Sequence, residues 1–241
     1  MELFPDADLK SVVVTRYNMR RPYRPGDSWL LHRKALFDKY CLPSMRAQTM
    51  KDFTWFVLFD QSTPREFTDY IADVAHPIRG ATRQEMAEAM REVLAKKNKG
   101  PVACVSTRLD NDDALAVDHL AVARSLARSV VNSAEVLGTP HVLNFRSGYE
   151  LSTETNQLFA RNYPASSFFS LVEAPTEPKD LRLAIGFHHA RIQQSFPTTN
   201  IVTIKPMWLI VVHGQNIANK IKGEKVDDET QGVLRTRFGC S

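Results

Sequence analysis

The first strong apolar run is Ser11-Val12-Val13-Val14, a β-branched stretch too short for a helix. It predicts a buried strand that stops at Thr15-Arg16-Tyr17-Asn18. A loop rich in Pro and Arg follows (Arg20, Arg21, Pro22, Arg24, Pro25), with Gly26 and Asp27 as a turn signal. From Trp29 to Cys41, apolar residues recur at Trp29, Leu30, Leu36, Phe37 and Tyr40, with the stem of Arg33 on the same side. That spacing predicts a helix, which Pro43 ends or kinks. Phe53 to Phe59 predicts a second buried strand ending on Asp60, and helical character returns over Pro64–Val74 and Gln84–Lys97. In the last of these, Glu92 and Lys96 form a favourable i,i+4 pair and Gly100 lies past the end.

Val102 to Val105 predicts the third strand, running into Ser106-Thr107-Arg108-Leu109-Asp110. Asp112 or Asp113 is placed to cap the next helix, whose apolar side (Leu115, Leu120, Ala123, Leu126, Val130) extends to about Ala134. Beyond Gly138-Thr139-Pro140, strands are predicted over His141–Phe145, Phe168–Val172 and Trp208–Val212. Strands alternating with helices over the first half imply an α/β, Rossmann-like α/β/α sandwich with a largely parallel central sheet. The last hundred residues or so read as an elaboration on that core. No repeat, low-complexity tract or linker divides the chain, so residues 1–241 read as one domain.

With 241 residues, about three-quarters of the open chain's surface can be buried, enough for a core without staples. Hydrophobic residues at 43% and charged residues at 24% exclude a disordered or fibrous class. No apolar run of transmembrane length exists, and the acidic start MELFPDADLKS lacks the apolar region of a secretory signal. The net charge of +4 comes from scattered basic residues, a weak argument for nucleic acid. It is compatible with an anionic substrate, or with peripheral contact to the acidic inner face of a membrane. Cys41, Cys104 and Cys240 have no metal-ligand spacing and suit free thiols in a cytoplasmic protein.

Ligands of open α/β sheets bind beyond the carboxyl ends of strands. Three polar clusters fall there: Thr15-Arg16-Tyr17-Asn18, Asp60-Gln61-Ser62-Thr63 and Asp110-Asn111-Asp112-Asp113. Only the last crowds like charges. Carboxylates about 5 Å apart repel by about 3 kcal/mol per pair at an effective dielectric of about 20. A divalent cation, Mg²⁺ or Mn²⁺, removes that penalty, while a helix start whose dipole welcomes acids is the plainer explanation. An EF-hand fails, because Leu115 and Ala121 stand where Gly and Glu are required. A phosphotransfer site with an aspartate nucleophile stays open. No glycine-rich phosphate loop and no Gly-x-Ser-x-Gly elbow is present.

Taken together, the clusters resemble the opening of the family 2 nucleotide-sugar glycosyltransferases. The resemblance rests on Val12-Val13-Val14-Thr15-Arg16-Tyr17-Asn18, Leu42-Pro43-Ser44 with Gln48-Thr49, and the strand ending Asp60-Gln61-Ser62-Thr63-Pro64. The strand ending in Asp110-Asn111-Asp112-Asp113-Ala114-Leu115 is similar to that family's next block, its Asp-x-Asp motif. Arg33, Arg108, Trp208 and His213-Gly214-Gln215-Asn216 resemble more closely a bacterial group described as putative rhamnosyltransferases. Gln61 replaces the second acid of the family's Asp-Asp-x-Ser pattern, and Arg20 to Ser28 reads as an insertion.

The resemblance implies a GT-A fold, residues 10–120 holding the nucleotide-sugar and 121–241 the acceptor side. It implies an inverting transfer, in polysaccharide biosynthesis, from a nucleotide-diphosphate sugar to a glycan or lipid-linked hydroxyl. On that basis Asp110, Asp112 and His213 would hold the cation, and Asp113 would shape the loop or touch the sugar. Asp60, Thr15, Arg16 and Asn18 would line the nucleotide pocket, with Arg108 and Asp110 at the phosphates. Glu173 is the first choice of general base and Glu150 the second, while His188 and His189 stand behind the site. The alternatives are a Mg²⁺-dependent phosphohydrolase on Asp110 and Asp112, or a non-catalytic carbohydrate-binding relative.

Overall fold

The computed structural model describes residues 9–19, 21–97, 102–131, 139–216, 220–227 and 229–240. The expectations for Arg20, Gly100, Gly138 and the helix end at Ala134 lie outside the described residues. In chain order the strands are β1 Leu9–Arg16, β2 Thr54–Asp60, β3 His76–Gly80, β4 Ala103–Asp110, β5 Ala114–Leu115 and β6 His141–Phe145. They continue with β7 Ser147–Ser152, β8 Gln157–Asn162, β9 Ser170–Glu173, β10 Thr198–Ile201, β11 Trp208–Val212 and β12 Glu224–Lys225. The helices are α1 Ser28–Leu36, α2 Leu42–Arg46, α3 Arg83–Lys97, α4 His119–Val131, α5 His189–Ser195 and α6 Thr230–Phe238.

The central sheet has the order β10-β6-β9-β4-β1-β2-β3, and all its strands run parallel except β9. From β1 the chain steps outward through β2 and β3, then returns to place β4 on the other flank of β1. That reversal is a topological switch point, where two neighbouring strand ends open a crevice. Its register pairs Arg16 with Asp110. The run of valines in β1 follows from burial on both faces. Val13 and Tyr17 pack with Leu30, Phe37, Trp55 and Leu120 on the α1/α4 side. Val12 and Val14 pack with Met86, Met90 and Leu94 of α3 on the other. The largely parallel α/β/α sandwich expected from the sequence is therefore the observed fold.

A second sheet, β12-β8-β7-β11-β5, begins immediately after the acidic cluster. β5 pairs antiparallel with β11, which brings the chain's last quarter back onto residues 114–115. Gly148 lies under Trp208: a Cβ there would stand 2.1 Å from the indole, so only glycine lets β7 approach this fully buried ring.

Several expected elements differ. The predicted helix over 64–74 is two 3₁₀ turns, Arg65–Phe67 and Asp69–Ile71, leading into the unexpected β3. Pro43 does not end the first helix: a π turn over Phe37–Cys41 intervenes, and Pro43 sits in the first turn of α2, where its missing N–H is tolerated. Asp112 and Asp113 do not cap a helix, because β5 separates them from α4. The three cysteines are buried free thiols, and no helix among the described residues is long and apolar enough to cross a membrane.

Candidate active site

At the switch point Asp110 is held by two guanidiniums. Arg16 donates to its Oδ1 from Nε at 3.1 Å and Nη2 at 2.7 Å, and Arg108 donates to its Oδ2 at 3.0 Å. Burial alone would raise the Asp110 pKa; Arg108 and then Arg16 more than reverse it, so the group stays well below the usual carboxylate range. Arg108 is itself buried, and desolvation lowers its pKa against the opposing pull of Asp110.

Asp112 is buried one turn further on. Its Oδ2 accepts from Arg33 Nη1 and from Asn216 Nδ2 at 3.4 Å, and lies 3.1 Å from His213 Nε2. Local structure delivers each partner. Asp27 caps α1 by accepting from Leu30 N at 3.2 Å and is gripped by Arg21, which starts the helix so that Arg33 faces inward beside Trp29. Asp113 turns away from the crevice and accepts from Val211 N at 2.9 Å, clamping β11 so that His213, just past its end, meets Asp112. Burial, then Asp112 and Asp110, push the Asp113 pKa well up. His32 lies 3.2 Å from His213 Nδ1, its pKa lowered by burial and by His213.

The neighbouring strand end is stitched shut. Asn18 accepts from Asp60 N at 3.2 Å and donates to Thr63 Oγ1 at 2.9 Å and Arg21 O at 3.3 Å. Asp60 Oδ1 accepts from both N and Oγ of Ser62, an Asx turn rather than a helix cap.

Thus Arg16 and Arg108 gather on Asp110, and Arg33 and His213 on Asp112, with Asn18 and Asp60 at the neighbouring strand end. Three expectations are corrected. Thr15 is fully buried and accepts from Trp55 Nε1 at 2.9 Å, because strand alternation turns it to the core when Arg16 faces the crevice. Asp113 takes the first of its two expected roles, shaping the loop as a strut to β11. Glu173 pairs in register with Cys104, six residues before Asp110 along β4, which puts it about 20 Å from the crevice. β9 runs backwards, so its carboxyl end faces the opposite edge. There Glu173 accepts from the N–H groups of Arg182 and Leu183 at 2.9 Å each. Glu150, the second choice of base, is fully buried, ion-paired with Arg161, and accepts from Lys222 N and Gly223 N.

The ligand set Asp110, Asp112 and His213 does not fit a metal centre in this arrangement. Among the described residues no three His, Cys, Asp or Glu side chains converge as one would require. Each of these two carboxylates already has a guanidinium, so three arginines face two aspartates. The crowding that suggested a cation is relieved by Arg33, Arg16 and Arg108. Arg33 carries a signal the sequence offered, a charge on the apolar side of a helix. His189 joins from α5, its Nδ1 3.4 Å from Arg108 Nη1. Burial, Arg108 and His188 bring its pKa down to about 4. His188 instead caps α5, accepting from Ala190 N at 3.3 Å.

Residues 10–225 match the family model Rhamno_transf, described as "Putative rhamnosyl transferase". Among solved structures, the chain is similar to a putative nucleotide-diphospho-sugar transferase from Desulfovibrio desulfuricans G20. The identity is 7%, covering 83% of this chain and 80% of that one, with a TM-score of 0.37. It is also similar to the inositol-1-phosphate CTP transferase from T. maritima, at 10% identity over 84% and 89% of the two chains and a TM-score of 0.34. No curated protein sequence gives a significant match.

Proposed function

The chain belongs to the family described as "Putative rhamnosyl transferase", a family of glycosyltransferases, and from that premise we propose that its switch-point crevice binds a nucleotide-diphosphate sugar. The sugar, rhamnose or a close relative, would pass with inversion to a hydroxyl acceptor. The whole chain is proposed to work as one GT-A-like unit, residues 10–120 on the donor side and 121–241 on the acceptor side. The observation that carries this reading is the set of three inward guanidiniums, Arg16, Arg33 and Arg108, held in place by Asp110 and Asp112.

Breaking the bond to the anomeric carbon leaves a nucleoside diphosphate whose growing charge must be stabilised. Guanidinium forks match phosphate oxygens in geometry and stay charged when buried. Asp110 fixes two of them before substrate arrives, so little reorganisation is left for the reaction. Asp60, with its Oδ1 committed to Ser62, is proposed to offer Oδ2 to a nucleobase N–H. A phosphohydrolase using Asp110 as nucleophile is disfavoured, because both its oxygens are engaged by arginine.

The test is a thermal-shift and calorimetric screen of UDP-, dTDP- and GDP-sugars, since a ligand of the folded state stabilises by mass action. One donor class should raise the melting temperature, Arg108→Gln should weaken it by about tenfold or more, and EDTA should leave it intact. No response to any nucleotide sugar refutes the donor reading. A response lost in EDTA and restored by Mn²⁺ refutes the assignment of phosphate charge to the arginines.

A further inference from the structure

We propose that the cleft of about 700 Å³ between β7, the end of β8 and the loops 203–206 and 222–224 is the acceptor site, and that it takes a neutral glycan. This rests on the glycosyltransferase reading above and assigns the second substrate a place in the molecule.

Position comes first. β6 and β10 run parallel to β4, so their carboxyl ends lie on the same edge of the sheet as Asp110. The cleft begins where they stop: Arg146 N donates to Ile201 O at 2.9 Å, and Thr203 N donates to Ser147 Oγ at 3.0 Å. Continuity comes second. Tyr163 lines the cleft, and its hydroxyl lies 3.2 Å from His189 Nε2. The other nitrogen of that ring faces Arg108, which holds Asp110. Two side chains thus bridge the cleft and the phosphate clamp. Since the Arg108 guanidinium can only donate, His189 Nδ1 accepts and Nε2–H donates to Tyr163.

Chemistry selects the occupant. Ser147, Asn162 and Thr203 offer neutral hydroxyl and amide groups, and Tyr149 and Tyr163 offer aromatic surface. That mixture suits a chain with polar edges and apolar C–H faces. Charge in the lining sums close to zero: Arg161 is paired with Glu150, and the other charged residues there are one cation, Lys222, and one anion, Glu224. A phosphorylated or uronic acceptor would find no surplus cation. The walls are also fixed in advance. Arg161 stacks 3.8 Å over the Tyr163 ring, whose edge meets Trp208, and Glu150 binds the loop at Lys222 and Gly223. Glu150, removed as a base, is here a strut of the cleft.

The experiment takes the nucleotide sugar that stabilises the wild-type protein and follows release of its nucleoside diphosphate. Release is compared in water and with panels of neutral and anionic trisaccharides. A neutral member should accelerate release above the rate in water. Thr203→Trp, which fills the cleft, should raise that member's KM about tenfold or more while moving the donor KM by less than about threefold. Tyr163→Phe keeps the ring and breaks the bridge to His189, so it should lower kcat more than it raises the acceptor KM. Acceleration by anionic members alone, acceleration by none, or the two KM values moving together in Thr203→Trp would overturn the proposal. Failure of the donor reading would show separately, as a wild-type protein that no nucleotide sugar stabilises.

Discussion

Asp112 divides one oxygen among Arg33, His213 and Asn216. The sequence made the aspartates visible, because three acids in four residues are a charge anomaly wherever they fold. It could not show their partners, which arrive from α1 and from beyond β11, far away in the chain. A quieter buried group has a measurable effect of its own. His119 lies under Phe145 with Nδ1–H donated to Met207 O at 2.9 Å, and its Nε2 is buried without a partner. Desolvation lowers its pKa from 6.5 to about 4, against the Met207 carbonyl and Asp118, which pull upward. Below about pH 6.5 the unfolded chain therefore takes up a proton that the folded chain refuses until about pH 4, so stability falls as pH drops through that window. The loss between pH 7 and pH 5 should be about 2 kcal/mol from this group, with His189 adding in the same direction. Urea denaturation at several pH values should show a shallower slope in His119→Asn. An unchanged slope would exclude His119 as its source.

Among the elements, β1, β2 and β4 were legible because burial on both faces writes an unbroken apolar run. β3, β7, β8 and β10 were not: they are short or edge-lying, and polar residues such as Arg79, Arg161 and Asn200 interrupt them. The direction of β9 was unreadable for a different reason. Its four residues SLVE carry no mark of direction, and the pairing partners β4 and β6 set it. That reversal gives Glu173 a different task. It accepts from Leu183 N, and Leu183 is buried with φ +57°, a backbone state costing about 1–3 kcal/mol without such support. Glu173→Gln can keep only one of the two acceptors and should cost about 1–3 kcal/mol of stability. Its effect on transfer should be small. A large fall in kcat at unchanged melting temperature would restore Glu173 as the base.

Over the whole molecule, the central sheet supplies the edge, and the second sheet completes what stands there. The α/β architecture followed from alternation in the first half of the chain. The closing of β11 onto β5 did not, since a two-residue strand leaves no periodicity to read. That small pairing brings His213 to Asp112 from far along the chain. Asp113 finds Val211 across 98 residues, and Asp112 finds His213 across 101. At ribosomal speeds of about 5–20 residues per second, the aspartates leave the exit tunnel many seconds before their partners exist. Contacts so distant in sequence are also slow to form, because the intervening loop must be ordered first. Nucleotide-sugar binding should thus return after the far-ultraviolet circular dichroism signal in a refolding experiment, and simultaneous recovery would refute this order. A nascent chain that has not reached β11 would already hold the arginine pairs on Asp110 and Asp112, but Asp112 would lack His213 and Asp113 would lack Val211.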